Sequence, residues 1–214
     1  MGGEPVTSDP AGPQLPGRRD AVRNYHRVLD AAREVLGESG ADASMEEIAA
    51  RAGVGVGTVY RRFANKDALV DELVRLSMSD ALDEARSALG CPGGDGLEQF
   101  LRGLGALLAA HAKYAHLLLE RSTDSADTRE IRAAVQELTS RALTAGTLNP
   151  GVTVGDVMSL VWGMRGLTET TDEAAPGTWQ RFLDIHLAGL RTPGPLSATP
   201  SMSPGQLGEL LPRP

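Results

Sequence analysis

Residues 44–69 read SMEEIAARAGVGVGTVYRRFANKDAL, and the fold turns on how this stretch is punctuated. Ser44 with Glu47 three residues on is a capping-box pattern: the hydroxyl takes the Glu47 amide, and the Glu47 carboxylate reaches back. A short helix is expected after it, with Ile48, Ala49 and Ala52 facing inward and Gly53 as its stop. Gly53-Val54-Gly55-Val56 is too short a link for anything except a sharp corner. A second short helix, about Gly57 to Phe63, buries Val59 and Phe63, one turn apart. Asn65 caps the helix that follows. Two short helices joined by such a corner make a helix-turn-helix.

The outer face of the second helix presents Thr58, Arg61 and Arg62, with Gly57 at its start and Tyr60 beside them. Two adjacent arginines, a tyrosine and a threonine on an exposed short helix suit a DNA major groove and its phosphates. Lys66 stands at the N-terminus of the next helix, where a phosphate also meets free backbone N–H groups. Taken alone, Tyr60 reads as a cover over helix packing and Arg61-Arg62 as a solvated face. The glycine spacing, Thr58 and Lys66 together favour DNA. Gly53-x-Gly55-x-Gly57 is not a nucleotide loop, because Tyr60 stands where a third glycine is needed and no strand precedes it.

Outward from this segment the apolar period stays helical. Upstream, Val28, Ala31, Ala32, Val35 and Leu36 form one face of a first helix, with Gly40 as its stop. Downstream, Leu69, Leu73, Leu76 and Leu82 face inward on a fourth. Gly90-Cys91-Pro92-Gly93-Gly94-Asp95-Gly96 breaks the pattern. Four or five longer helices are expected beyond it, with Leu117 to Leu119 either continuing one or standing apart. Helices at about 153–168 and 176–191 carry wide apolar stripes with Trp162, Trp179 and Phe182. They are expected to pair across a two-fold axis into a four-helix interface. The fold class is all-α: an N-terminal three-helix helix-turn-helix domain over 18–66 and a C-terminal helical bundle over 67–191. Residues 1–17 hold eight Gly or Pro and residues 192–214 hold nine, so both are expected as disordered tails.

Composition narrows the function classes. The chain has 214 residues and a net charge of -7, which argues against a generic polyanion binder. Residues 18–66 carry nine basic and seven acidic side chains, so this segment is +2 while the rest is -9. A single cysteine, Cys91, excludes a disulfide framework and a multi-cysteine zinc site. No cofactor or metal is expected. The apolar run 104–110 is far short of a membrane span, and no secretory signal is expected. A cytoplasmic protein without membrane contact is the expectation.

Residues 52–69 are similar to the signature of TetR-family transcriptional regulators, and Ile48-Ala49 and the first helix fit it as well. The resemblance covers about 22–75. It implies a dimeric regulator, usually a repressor, that a small-molecule effector releases from a double-stranded DNA operator. By position, Val56, Gly57 and Arg61 fall where base contacts occur. Ser44, Thr58, Tyr60, Arg62 and Lys66 fall where phosphate contacts occur. Gly55 departs from the family, which often has Ser or another capping residue there. Residues 152–166 and 179–191 look like an actinobacterial subgroup.

The helix at about 97–111 is rich in small residues: Gly103, Gly105, Ala106, Ala109 and Ala110. These allow close packing or a cavity, and the resemblance favours an effector chamber, with Leu104, Leu108, His111 and Trp162 as lining. His111 read alone is a packed, hydrogen-bonded histidine. An enzyme is not expected. The alternative, an all-α enzyme holding a substrate in its bundle, lacks a nucleophile–base pair, a phosphate loop and metal-ligand spacing.

Overall fold

A computed structural model describes residues 18–115, 125–171, 174–203 and 206. Among them there are eight α-helices and no strand. The helices are α1 (Arg18–Ser39), α2 (Met45–Ala52), α3 (Val56–Arg62), α4 (Lys66–Leu89), α5 (Gly96–His111), α6 (Ala126–Thr144), α7 (Val154–Thr171) and α8 (Thr178–Arg191). One-turn 3-10 segments follow α1 at Gly40–Asp42 and α5 at Ala112–Tyr114. The expectations for Leu117 to Leu119 and for residues 1–17 lie outside the described residues.

Two apolar cores share one long helix. The first joins Val28, Leu29, Ala32, Val35 and Leu36 of α1 to Ile48, Ala49 and Ala52 of α2, Val59 of α3, and Leu69 to Val74 of α4. The second begins farther down α4 at Ala85 and Ala88 and gathers Phe100, Leu101, Leu138, Met164 and Leu183. Helix α4 therefore spans both. Tyr114, in the turn after α5, is 2% exposed and belongs to the first core. The bundle thus inserts a side chain into the core of the N-terminal helices. Gly37 of α1 faces this turn so closely that a Cβ there would lie 2.6 Å from Lys113 Cβ.

Residues 192–203 contain no helix, and they are tied to the α6–α7 connection. Asn149 Nδ2 donates to the Thr192 and Gly194 carbonyls at 2.9 and 2.8 Å. The backbone at Met202 passes so near Gly155 that a Cβ there would meet its carbonyl at 2.4 Å. A Gly/Pro-rich stretch gives no periodic signal for such ties, which run through backbone carbonyls, glycines and a Thr153–Ser201 hydroxyl pair.

Candidate nucleic-acid interface

The α2–α3 corner is set by local bonds. Ser44 Oγ accepts the Glu47 amide at 3.1 Å, and Glu47 Oε2 accepts the Ser44 amide at 2.9 Å. The Ser44 amide and then its hydroxyl, both donating to the Glu47 carboxylate, hold that carboxyl below the usual range. Gly53 ends α2 at φ +64, and the Val54 amide returns to the Ala49 carbonyl at 3.0 Å. This is a left-handed helix stop, a conformation that glycine adopts without a Cβ clash. Helix α3 starts at Val56, one residue before the position expected, because Gly55 is its N-cap. The Thr58 amide closes on the Gly55 carbonyl at 2.8 Å, with no side-chain cap. Asn65 Oδ1 accepts the Ala68 amide at 2.8 Å and opens α4.

Helix α3 is two-faced. Val59 is fully buried and Phe63 is buried just beyond the last turn. Tyr60 is 46% exposed and Val56 38%, and Gly57 and Arg61 are exposed with them. No atom lies within 4 Å of a Cβ built on Gly55 or Gly57, so a large surface can approach the start of this helix. Arg61 Nη2 donates to Thr58 Oγ1 at 2.9 Å, a bond along the helix's own surface. These five residues share one end of the molecule, as a reading surface requires.

The other three expected residues are more engaged. Ser44 has its hydroxyl in the capping box, where it also donates to Glu47 Oε2 at 3.0 Å. Lys66 Nζ donates to the Ala43 carbonyl at 3.1 Å and so ties the entry of α2 to the start of α4. Arg62 lies over the Tyr25 ring, 4.9 Å from its centroid. The Tyr25 hydroxyl donates to Glu72 on α4, and Arg75 grips the same carboxylate at 2.7 and 3.0 Å. The Arg75 guanidinium, ahead of the Tyr25 bond, holds the Glu72 carboxyl down to about 2 against the cost of its burial. Burial and the Glu72 charge push the Tyr25 hydroxyl up.

The sequence reading did not place α1 in the site. Ala21, Val22, Asn24, Tyr25 and His26 line a groove of about 650 Å³ with Thr58, Arg61 and Arg62. Tyr25 sits three residues before Val28, on the face that meets α3, and that offset was the available signal. Arg51, by contrast, is exposed and yet pairs with Glu34 and Glu38 at 2.9 and 2.7 Å.

The four expected effector-lining residues are spread along the bundle. Leu104 and Leu108 are half-buried on one face of α5 and pack against the second core. His111 closes that helix, its ring 5.4 Å from that of Tyr114. Burial, with help from Arg33, pushes the His111 imidazole below its ordinary value. Trp162 is half-buried on α7. Two of the small residues on α5 serve close packing: a Cβ on Gly105 would meet the Trp179 ring at 2.4 Å, and one on Gly103 would meet the Glu84 carboxylate.

Two family models match this chain. Residues 28–73 match bacterial regulatory proteins of the tetR family, and residues 92–192 match the SbtR-like transcriptional regulator C-terminal domain. Among solved structures, the TetR transcription regulatory protein of Mycobacterium vanbaalenii is 30% identical. The match covers 82% of this chain and 99% of that one, with a TM-score of 0.57. The TetR transcriptional regulator SCO0520 of Streptomyces coelicolor is 27% identical over 78% and 97% of the two chains, also with a TM-score of 0.57. The uncharacterized HTH-type transcriptional regulator YvdT of Bacillus subtilis is 36% identical over 66 residues, which are 30% of this chain and 34% of YvdT. The chain spans about a third of the length of the curated relatives it matches.

Proposed function

This chain belongs to the TetR family of bacterial regulatory proteins, and we propose that it works as a homodimeric repressor released from a double-stranded operator by a small molecule. The observation that carries this reading is the two-faced α3: Val59 is fully buried while Val56, Gly57, Tyr60 and Arg61 stand in the open. A short helix with one face locked in a core and the other bare suits insertion into a major groove. On this reading, Val56, Gly57 and Arg61 meet base edges. Thr58, Tyr60 and Lys66 meet phosphates, and Ser44 lies at the edge of that contact. Residues 18–66 form the reading head and 67–191 the body. No helix among the described residues is long and apolar enough to cross a membrane.

Dimerisation would use α7 and α8. Ile185 is 58% exposed on α8, and Phe182 and Trp162 are only half-buried. An apolar row of this kind is what a second copy would cover. The effector is read as lying between α5 and α7, lined by Leu104, Leu108, His111 and Trp162. Its occupancy would shift the population of head spacings through α4 and Tyr114, which belong to both regions.

Selection from random double-stranded DNA, followed by a mobility shift, tests this function. The expected product is a palindrome whose half-sites lie about 34–36 Å apart. A chain that selects no sequence overturns it. Mass spectrometry of ligand extracted from the purified dimer would identify the effector class.

A further inference from the structure

Arg62 and Arg61 are neighbours in sequence and opposites in surroundings. Among the described residues, Arg61 hydrogen-bonds only within its own helix, at Thr58. Arg62 lies on the Tyr25 ring of α1, which also stacks on Phe63 at 6.2 Å between centroids and 22° between planes. The Tyr25 hydroxyl donates to Glu72, and Glu72 is held in turn by Arg75. The side chains Arg75, Glu72, Tyr25 and Arg62 therefore form one continuous chain from α4, across α1, to the last turn of α3. The Arg62 charge also acts on the Glu72 carboxyl.

We infer that Arg62, Tyr25 and Glu72 are positioning residues: they clamp the C-terminal end of α3 to α1 and α4 and so set the angle at which Val56, Gly57 and Arg61 meet the bases. This rests on the DNA reading proposed above, and it gives Arg62 the clamp in place of the phosphate contact that the family resemblance implies. The physical need is plain. Helix α3 has seven residues and no side-chain cap at Gly55, so its own hydrogen bonds do little to fix its direction. Its direction depends on what holds its two ends. The corner at Gly53 holds the first. Phe63 and the Arg62–Tyr25–Glu72 clamp hold the second. A guanidinium seated on an aromatic ring within reach of a carboxylate is already engaged, whereas Arg61 is free to turn outward.

The test uses the full chain and the operator selected by the wild type. Arg62→Gln, Tyr25→Leu and the double variant are compared across a salt series. Each single change is expected to lower operator affinity roughly two- to five-fold, the scale of one cation–π contact. The preference at α3-read positions should flatten, and the salt slope should stay unchanged. The double variant should be no weaker than either single one, as expected for two halves of one device. Tyr25→Phe keeps the ring and loses the Glu72 bond, so its loss should be smaller than that of Tyr25→Leu. A salt slope about one unit shallower in Arg62→Gln, with losses that add in the double variant, would make Arg62 a phosphate contact and overturn the inference. An affinity loss that merely follows the melting temperature, with base preference intact, would overturn it too. A wild type that selects a sequence while the single variants match it defeats the clamp alone. A wild type that selects nothing defeats the DNA reading, and the clamp with it.

Discussion

Helix α2 is fenced by its own residues, with a capping box at Ser44 and Glu47 and a left-handed stop at Gly53. Helices α5 and α8 begin at Asp95 and Gly177 without any side-chain cap. They are held by what they press against: Gly105 against Trp179, and Gly96 against the Ala88 carbonyl and Leu138. Helix α2 of the head is thus specified by neighbours in sequence, and α5 and α8 of the body by partners far away in sequence, although Ser125 and Thr153 cap α6 and α7 locally. The contrast suits the work proposed for each. Short helices cannot rely on length and need caps. Longer helices can tolerate loose ends when their flanks interlock.

The sharpest way to break the contrast is to attack the body where its partners are distant. Gly105→Val puts carbon into space filled by the Trp179 ring, which is buried. Overpacking of this kind is expected to cost about 1–3 kcal/mol. Urea unfolding followed by tryptophan fluorescence measures it, because Trp162 and Trp179 both lie in the body. An unchanged midpoint would mean that α5 and α8 slide apart easily, and that their contact does not hold the bundle.

Legibility followed the same division. In the head, Ser44, Gly53, Val59, Phe63 and Asn65 each announced a cap, a stop or a buried position, and each performs it. In the body, the glycines of α5 were legible as small residues, but their partners were not. Nothing in the sequence says that Trp179, 74 positions after Gly105, fills that space. The cross-helix chain from Tyr25 to Glu72 was invisible for the same reason, being a contact across 47 positions. Arg62 is exposed, as its period implies, but period alone cannot show the Tyr25 ring beneath its guanidinium.

Within the head, Arg61 and Lys66 separate reading from holding. Arg61→Ala removes an exposed guanidinium whose one bond is to Thr58. If it meets guanine with both nitrogens, the loss is about 1–3 kcal/mol at particular base positions, with other positions untouched. Lys66→Ala should weaken all sequences alike and make the salt slope shallower by about one unit. It should also lower the melting temperature, because its bond to the Ala43 carbonyl is lost. Quantitative selection on both variants checks this. Equal base profiles for wild type and Arg61→Ala would remove Arg61 from the reading surface.

Ser44→Ala asks whether the start of α2 is a DNA contact or a cap. The hydroxyl accepts the Glu47 amide and donates to the Glu47 carboxylate, so its bonding is already used. The expected result is a stability loss of about 0.5–2 kcal/mol, with the salt slope unchanged. The effect also has a pH signature. The Glu47 carboxyl is held low by Ser44, so the box stabilises above the ordinary carboxylate value and weakens as pH falls below it. The gap between wild type and Ser44→Ala should therefore narrow at acid pH without closing, because the Ser44 amide bonds the carboxylate in both proteins and the hydroxyl's bond to the Glu47 amide survives protonation. A gap that stays constant through that range would show that the hydroxyl's bond to the carboxylate takes no part.

The smallest expected effect sits at the start of α3, which has no side-chain cap. Gly55 is the N-cap of α3, at φ -67 and ψ 139, and offers no side-chain bond. That backbone is extended, which any residue adopts, and nothing lies within 4 Å of an added Cβ. Gly55→Ser should therefore fit without strain and place a hydroxyl beside the first free N–H groups of α3. Replacing Gly by Ser at an N-cap gains only a few tenths of a kcal/mol, a shift of about 1–2 °C in melting temperature for a protein of this size. The informative reading is in DNA binding, because the new hydroxyl faces the side from which a phosphate would arrive. Operator affinity should rise with base preference unchanged, since a hydroxyl at this position touches backbone and not bases. A rise in stability with a fall in operator affinity would reverse the argument. It would mean that the bare glycine is there to let DNA come close, and that the head gives up a cap at this one helix for the sake of that approach.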